Sequence, residues 1–152
     1  MRLIDIDMPK QAFIYAAIHF LSNRMQAIGD KIDPTISTKQ WFVLAAVSKF
    51  KKPPNISDIS EALGTSRQNV KKIASILERR GFLKLERDKN DLRSTKLFLT
   101  EQCTEYLKGR EHQENEFLES IFRNMDEETL MIVSKGMYKI IENISDILDN
   151  GG

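Results

Sequence analysis

Residues 55–85, Asn55-Ile-Ser-Asp-Ile-Ser-Glu-Ala-Leu-Gly64-Thr-Ser-Arg-Gln-Asn-Val70-Lys-Lys-Ile-Ala-Ser-Ile-Leu-Glu-Arg-Arg-Gly81-Phe-Leu-Lys-Leu85, decide how the chain folds. Ser60, Gly64 and Val70 stand at the small–x3–Gly–x5–Val spacing of a helix-turn-helix. The small residue lets two helices approach closely, the glycine makes the sharp turn, and the valine locks the second helix on the first. Residues 55–64 predict a short helix with Ile56, Ile59 and Leu63 inward, closed by Gly64. Thr65-Ser66 can cap a second helix over 66–80, with a buried stripe of Val70, Ile73 (or Ala74) and Leu77, closed by Gly81.

Downstream, residues 82–87 and 94–99 read as two strands: Leu83 and Leu85 share a face with Arg87, and Thr95, Leu97 and Leu99 share another. The polar segment 88–93 joins them with a long charged tip, so a wing of residues 82–99 follows the second helix. Upstream, residues 9–28 predict a helix with a broad apolar face that includes Phe13, Ala17 and Phe20. Residues 29–36 are expected as a loop, broken by Gly29 and Pro34. Ser37-Thr38-Lys39-Gln40 has the form of a capping box opening a helix over 41–50, which Pro53-Pro54 cannot continue.

Beyond the wing, Thr100 can cap a long acidic helix reaching about Met125. A last helix is predicted over 126–149. Its Leu130, Val133, Met137, Ile140, Ile144 and Ile147 follow alternating three- and four-residue steps, a heptad seam. The expected organisation is a mainly α fold with a small β-hairpin wing. Residues 1–36 and 101–152 would form a dimerisation region around a winged helix-turn-helix at 37–100.

The 152 residues carry a formal net charge of +1, which conceals a strong asymmetry. Residues 65–96 hold 10 basic and 4 acidic side chains, whereas 97–152 hold 5 and 12. Cations concentrated in one short stretch mark a footprint for a polyanion. The single Cys103 excludes an internal disulfide framework, and two histidines with no Cys/His cluster argue against a metal site. No cofactor is expected. The stretch MRLIDIDMPKQ lacks the layout of a signal peptide and no apolar run is long enough to span a membrane, so a cytoplasmic location is expected. No nucleophile–base pair or phosphate-cradling glycine loop points to an enzyme.

With these residues in place, the chain resembles the MarR family of winged helix-turn-helix transcription regulators over nearly its whole length. The resemblance rests on Thr38–Leu44, on Ser66–Ile73 followed by Leu77-Glu78-Arg79-Arg80-Gly81-Phe82-Leu83, and on Asp88-Lys89-Asn90-Asp91-Leu92-Arg93-Ser94 with Leu99-Thr100-Glu101. Ser60 replaces the family's usual alanine, Leu92 its first wing arginine, and Cys103 a common glycine.

The residue types suit that reading. The second helix would enter the major groove, with Ser66, Arg67, Gln68, Asn69 and Lys71 exposed toward base edges. Lys72, Lys84 and Lys96 are expected at phosphates. The resemblance implies that Arg93, oriented by Asp91, reaches the minor groove. Arg79 and Arg80 are read instead as partners of the helix dipole and solvent. His19 and His112 are expected to be partly buried and hydrogen-bonded, and Cys103 to be packing, although its place near a helix start could lower its pKa.

Phe13, Ala17 and Phe20, with Leu130, Val133, Met137, Ile140, Ile144 and Ile147, would pair two copies by twofold symmetry. Such a homodimer asks for a pseudo-palindromic operator in double-stranded DNA. The family further implies repression relieved by a small phenolic or anionic effector. The alternative is a winged module docking an acidic protein partner. The exposed Arg-Gln-Asn-Lys-Lys run carries no aromatic anchor of the kind protein interfaces use, which favours DNA.

Overall fold

A computed structural model describes residues 6–89, 91 and 93–151. Its elements are α1 (Lys10–Ile32), α2 (Thr38–Lys49), α3 (Ile56–Ala62), α4 (Arg67–Arg79), β1 (Leu83–Arg87), β2 (Thr95–Leu99), α5 (Glu101–Ile121) and α6 (Glu127–Asn150). The expected mainly helical fold with a hairpin wing is what forms. Asn90 and Leu92, named above at the wing tip, lie outside the described residues.

The chain divides into two compact units, one ending at Leu107 and the other beginning at Lys108. This grouping differs from the three-part division expected. Residues of α1 and the first part of α5 join the reading unit because polar links tie them to it. The Asp30 carboxylate accepts the Thr38 N–H at 2.6 Å, and the Thr38 hydroxyl donates to the Gln26 carbonyl at 3.2 Å. The Tyr106 hydroxyl donates to the Asp33 carboxylate.

The expected loop over 29–36 is in part a correction. Helix α1 runs through Gly29 to Ile32, and only the residues after it form the connection. A β-carbon on Gly29 would collide with the Thr38 side chain. The glycine therefore serves the close approach of α1 to the start of α2, which outweighs its helix penalty of about 1 kcal/mol relative to alanine.

Caps define the other boundaries. Ser37 Oγ accepts the Gln40 N–H at 3.3 Å while Gln40 Oε1 accepts the Ser37 N–H at 3.0 Å, the reciprocal box expected. Asn55 and Asp58 form a second box, with bonds of 2.9 and 2.7 Å, at the start of α3. Gly64 (φ 59°) and Gly81 (φ 78°) take the left-handed conformation that ends α3 and α4. Thr100 Oγ1 accepts the Cys103 N–H at 3.1 Å and donates to the Gly81 carbonyl at 2.6 Å. Helix α5 stops at Ile121, short of the expected Met125, and Asn124 follows with φ 65°. Asp126 then caps α6 by accepting the Thr129 N–H at 2.8 Å.

One core joins the helix-turn-helix to the wing. Leu44, Ile59, Val70, Ala74, Leu77, Leu97 and Cys103 are fully buried in it, with Ile56, Ile73 and Leu83 close behind. Both Ile73 and Ala74 face inward, settling the alternative the periodicity left open. Ser60 is buried with its hydroxyl donating to the Ser57 carbonyl at 2.9 Å, so the polar replacement is satisfied within its own helix. The strands pair antiparallel with Leu83 opposite Leu99 and Leu85 opposite Leu97. The Leu97 N–H donates to the Pro54 carbonyl at 2.9 Å, and Asn55 bridges Lys96. The segment after α2 thus extends the wing's edge, which the paired prolines did not suggest.

Asp33 is buried, and the Tyr106 ring that reaches it packs 5.0 Å from the Phe82 ring at the root of β1. Tyr106→Phe removes a hydrogen bond to a charged group and is expected to destabilise the protein by about 1.5–3 kcal/mol, read as a lower urea midpoint at unchanged slope.

Candidate nucleic-acid interface

The turn between α3 and α4 places the site. Thr65 donates its N–H to the Ser60 carbonyl at 3.0 Å, and Ser66 Oγ accepts the Asn69 N–H at 3.2 Å. Helix α4 then buries Val70, Ile73, Ala74 and Leu77 and leaves Arg67, Gln68, Lys71 and Lys72 exposed on its first two turns. This segregation follows from spacing, since residues three and four apart share a face. Arginine and lysine there supply forked and point-charge donors, and Gln68 supplies a donor–acceptor pair matched to adenine.

Asn69 departs from the expected exposed row. It is half-buried, and its amide Nδ2 donates to Thr65 Oγ1 at 3.0 Å. That bond braces the turn between α3 and α4. Ser75, one turn beyond Lys71, is exposed on the same outer face and was missed. Its place four residues after Lys71 and seven after Gln68 was the available signal.

The wing is anchored to α4 by Glu78, whose Oε1 accepts the Leu85 N–H at 3.0 Å. At the tip, Asp91 Oδ1 accepts the Arg93 N–H at 3.0 Å, and its carbonyl accepts the Ser94 N–H at 2.8 Å. Asp91 therefore orients Arg93 through the backbone, by an Asx turn, and the Arg93 side chain is exposed. Lys84 and Lys96, expected at phosphates, each meet a carboxylate of the wing. Lys84 Nζ lies 2.5 Å from Glu86, which raises the lysine's pKa, and Lys96 Nζ lies 3.6 Å from Asp88. Arg80 sits over the Phe82 ring at 5.7 Å, a packing partner beyond the solvent role expected of it.

Other polar candidates lie apart from this surface. His19 and His112 are exposed, contrary to the partly buried reading, and His112 Nε2 stands 3.4 Å from Glu116. Both fall on the outside of long helices, where no core reaches them. Among the described residues, no group of three His, Cys, Asp or Glu side chains could hold a metal ion. No helix among them is long and apolar enough to cross a membrane.

Cys103 is wholly buried, and burial pushes its thiol up to about 11 from 9.0, so desolvation wins over the nearby helix start. The folded state binds the thiol proton more tightly than the unfolded chain. Its stabilising contribution is complete below about pH 9 and is lost as pH rises toward 11. At neutral pH, alkylation by iodoacetamide is expected to be slow in the native protein and fast in urea. Rapid native labelling would contradict the packing role.

Residues 33–94 match the sequence pattern of the MarR family. No curated protein matches the sequence closely enough to count as a relative. Among solved structures, a MarR protein from Peptoclostridium difficile is similar at a TM-score of 0.85 and 20% identity, covering 97% of this chain and 98% of that one. A MarR transcriptional regulator from Methanosarcina mazei is similar at 0.79 and 25% identity, over 90% and 99% of the two chains. MepR of S. aureus, solved as a DNA complex, is similar at 0.75 and 17% identity, over 90% and 99%. The family's pattern thus spans the helix-turn-helix and most of the wing, residues 33–94, and the fold of these MarR-family structures recurs along nearly the whole length of the chain.

Proposed function

We propose that the protein is a homodimeric, sequence-specific DNA-binding regulator that reads a pseudo-palindromic operator with α4 in the major groove and the wing at the minor groove. The observation that carries this reading is the outer face of α4. Arg67, Gln68, Lys71 and Lys72 stand exposed on a helix whose opposite side is locked into the core. A rigid scaffold presenting forked donors at groove-reading spacing is what base recognition requires. Ser66 caps the same helix from an exposed position, and Arg93 stands exposed at the wing tip. The basic face carries no aromatic anchor, so the acidic-protein alternative has no specific support.

Pairing of two copies accounts for surface that a lone chain leaves in water. Helices α1 and α6 bury no residue of their own. Phe13 and Phe20 on α1, and Val133, Met137, Ile144 and Ile147 on α6, are all exposed, while Ala17, Leu130 and Ile140 are half-buried. Repression, with release by a small phenolic or anionic effector, is the mode the family resemblance implies. Such an effector must bind better to a DNA-incompetent spacing of the two reading helices than to the competent one.

Fluorescence anisotropy on duplex fragments from upstream of the protein's own gene, titrated with salt, tests the proposal. Tight binding to one fragment, with far weaker binding to unrelated duplex and a steep fall with salt, is expected. On that fragment, Gln68→Ala should relax discrimination at one base pair by about 1–3 kcal/mol, whereas Arg93→Ala should weaken binding across sequences. Arg93→Ala with unchanged affinity at moderate salt would remove the wing from the interface.

A further inference from the structure

We infer that the flank of the wing carries a second DNA-backbone contact surface, formed by Lys52, Arg87 and Lys89. This inference rests on the DNA-binding reading above and assigns that reading a new set of phosphate-contacting residues. The three cations line one open groove with Pro53 and Phe98, between the segment after α2 and the outer strands of the wing. All three side chains are exposed.

Two features give the groove its charge. The pairing of Leu97 with Pro54, and of Lys96 with Asn55, draws the Lys52-bearing segment against β2. Cations 35 or more residues apart in sequence therefore share one surface. The carboxylates of the groove, Glu86 and Asp88, face Lys84 and Lys96 respectively. Those pairs balance one another and leave the charge of Lys52, Arg87 and Lys89 in excess. A clustered surplus of cations beside the wing tip suits the phosphates of duplex DNA flanking the base pairs that α4 reads. An acidic protein would meet the same charge, yet the exposed Arg67, Gln68, Lys71 and Lys72 on α4 of the same compact unit favour a duplex as the occupant.

Phosphate contacts carry no sequence information, so the test uses a fluorescein-labelled duplex of mixed sequence and the full-length protein. The slope of log affinity against log salt counts the phosphates neutralised, at about 0.9 per contact. Lys52→Ala, Arg87→Ala and Lys89→Ala are each expected to flatten the slope by about 0.9, and the triple variant by between roughly two and three. Lys84→Ala should flatten it less than Arg87→Ala does, because Lys84 is engaged by Glu86. Lys135→Ala, on α6, should leave it unchanged. Wild-type slopes in all three groove variants, with steep salt dependence in the wild type, would overturn the groove and leave the DNA reading standing. No duplex binding by the wild type at any salt would overturn both.

Discussion

Ile144→Asp is expected to yield a folded monomer that binds operator DNA weakly, and Met137→Asp to do the same. Ile144 is 51% and Met137 42% exposed in the lone chain, so neither supports the fold of a single copy. In a twofold dimer each would be buried twice. Burying an Ile or Met side chain is worth about 1.5–3 kcal/mol, and the substitution replaces that gain, at two sites, with an unpaired carboxylate. The combined loss exceeds several kcal/mol, a factor of thousands or more in the association constant.

Sedimentation velocity reads the mass, and circular dichroism reads the retained helix content. DNA affinity should fall with dimerisation, because a monomer engages one half-site and forfeits the effective concentration that links the second. A dimeric, fully active variant would sink the proposed pairing.

Leu77→Ala is expected to have the largest effect on stability of any substitution in α4. Leu77 is fully buried and holds the helix against the core that the wing shares. Truncating a buried leucine costs about 2–5 kcal/mol through lost transfer energy and the cavity left behind. Domains of this kind are stable by only about 5–15 kcal/mol, so the variant should unfold at markedly lower urea. Gln68→Ala, one face away and exposed, should shift the midpoint little while altering discrimination. If the stability loss for Leu77→Ala stayed below about 1 kcal/mol, the packing of α4 described here would be wrong.

The opposite behaviour expected of these two residues shows why so much of the reading unit was legible. Val70, Ile73 and Leu77 repeat at the helical period, and Gly64 and Gly81 sit where only a left-handed residue ends each helix cheaply. Ser37 and Gln40 announce their box by type and spacing alone. These are local rules, satisfied within a turn or two of chain. The wing-tip roles proposed for Asp91 and Arg93 come from the family resemblance, since periodicity does not reach them.

What escaped the sequence depends on which of several partners a side chain takes once the elements are packed. Gly29 reads as a helix breaker until Thr38 is found packed against it. The half-burial of Asn69 and its bond to Thr65, and the ion pairs of Lys84 with Glu86 and of Lys96 with Asp88, likewise appear only once the side chains are placed. Ionic and hydrogen-bonding side chains have several local options, and only the tertiary arrangement selects among them.

The sequence by itself determined the element order, the helix-turn-helix, the buried stripe of α4 and the location of the basic surplus, because hydrophobic period, caps and turn residues act over short range. Only the tertiary structure decided that α1 runs on to Ile32, that Tyr106 closes on Asp33, and that Lys52 shares a groove with Arg87 and Lys89. The first depends on the close approach of Gly29 to Thr38, and the other two require residues dozens of positions apart to meet; packing free energy, not local propensity, brings them together.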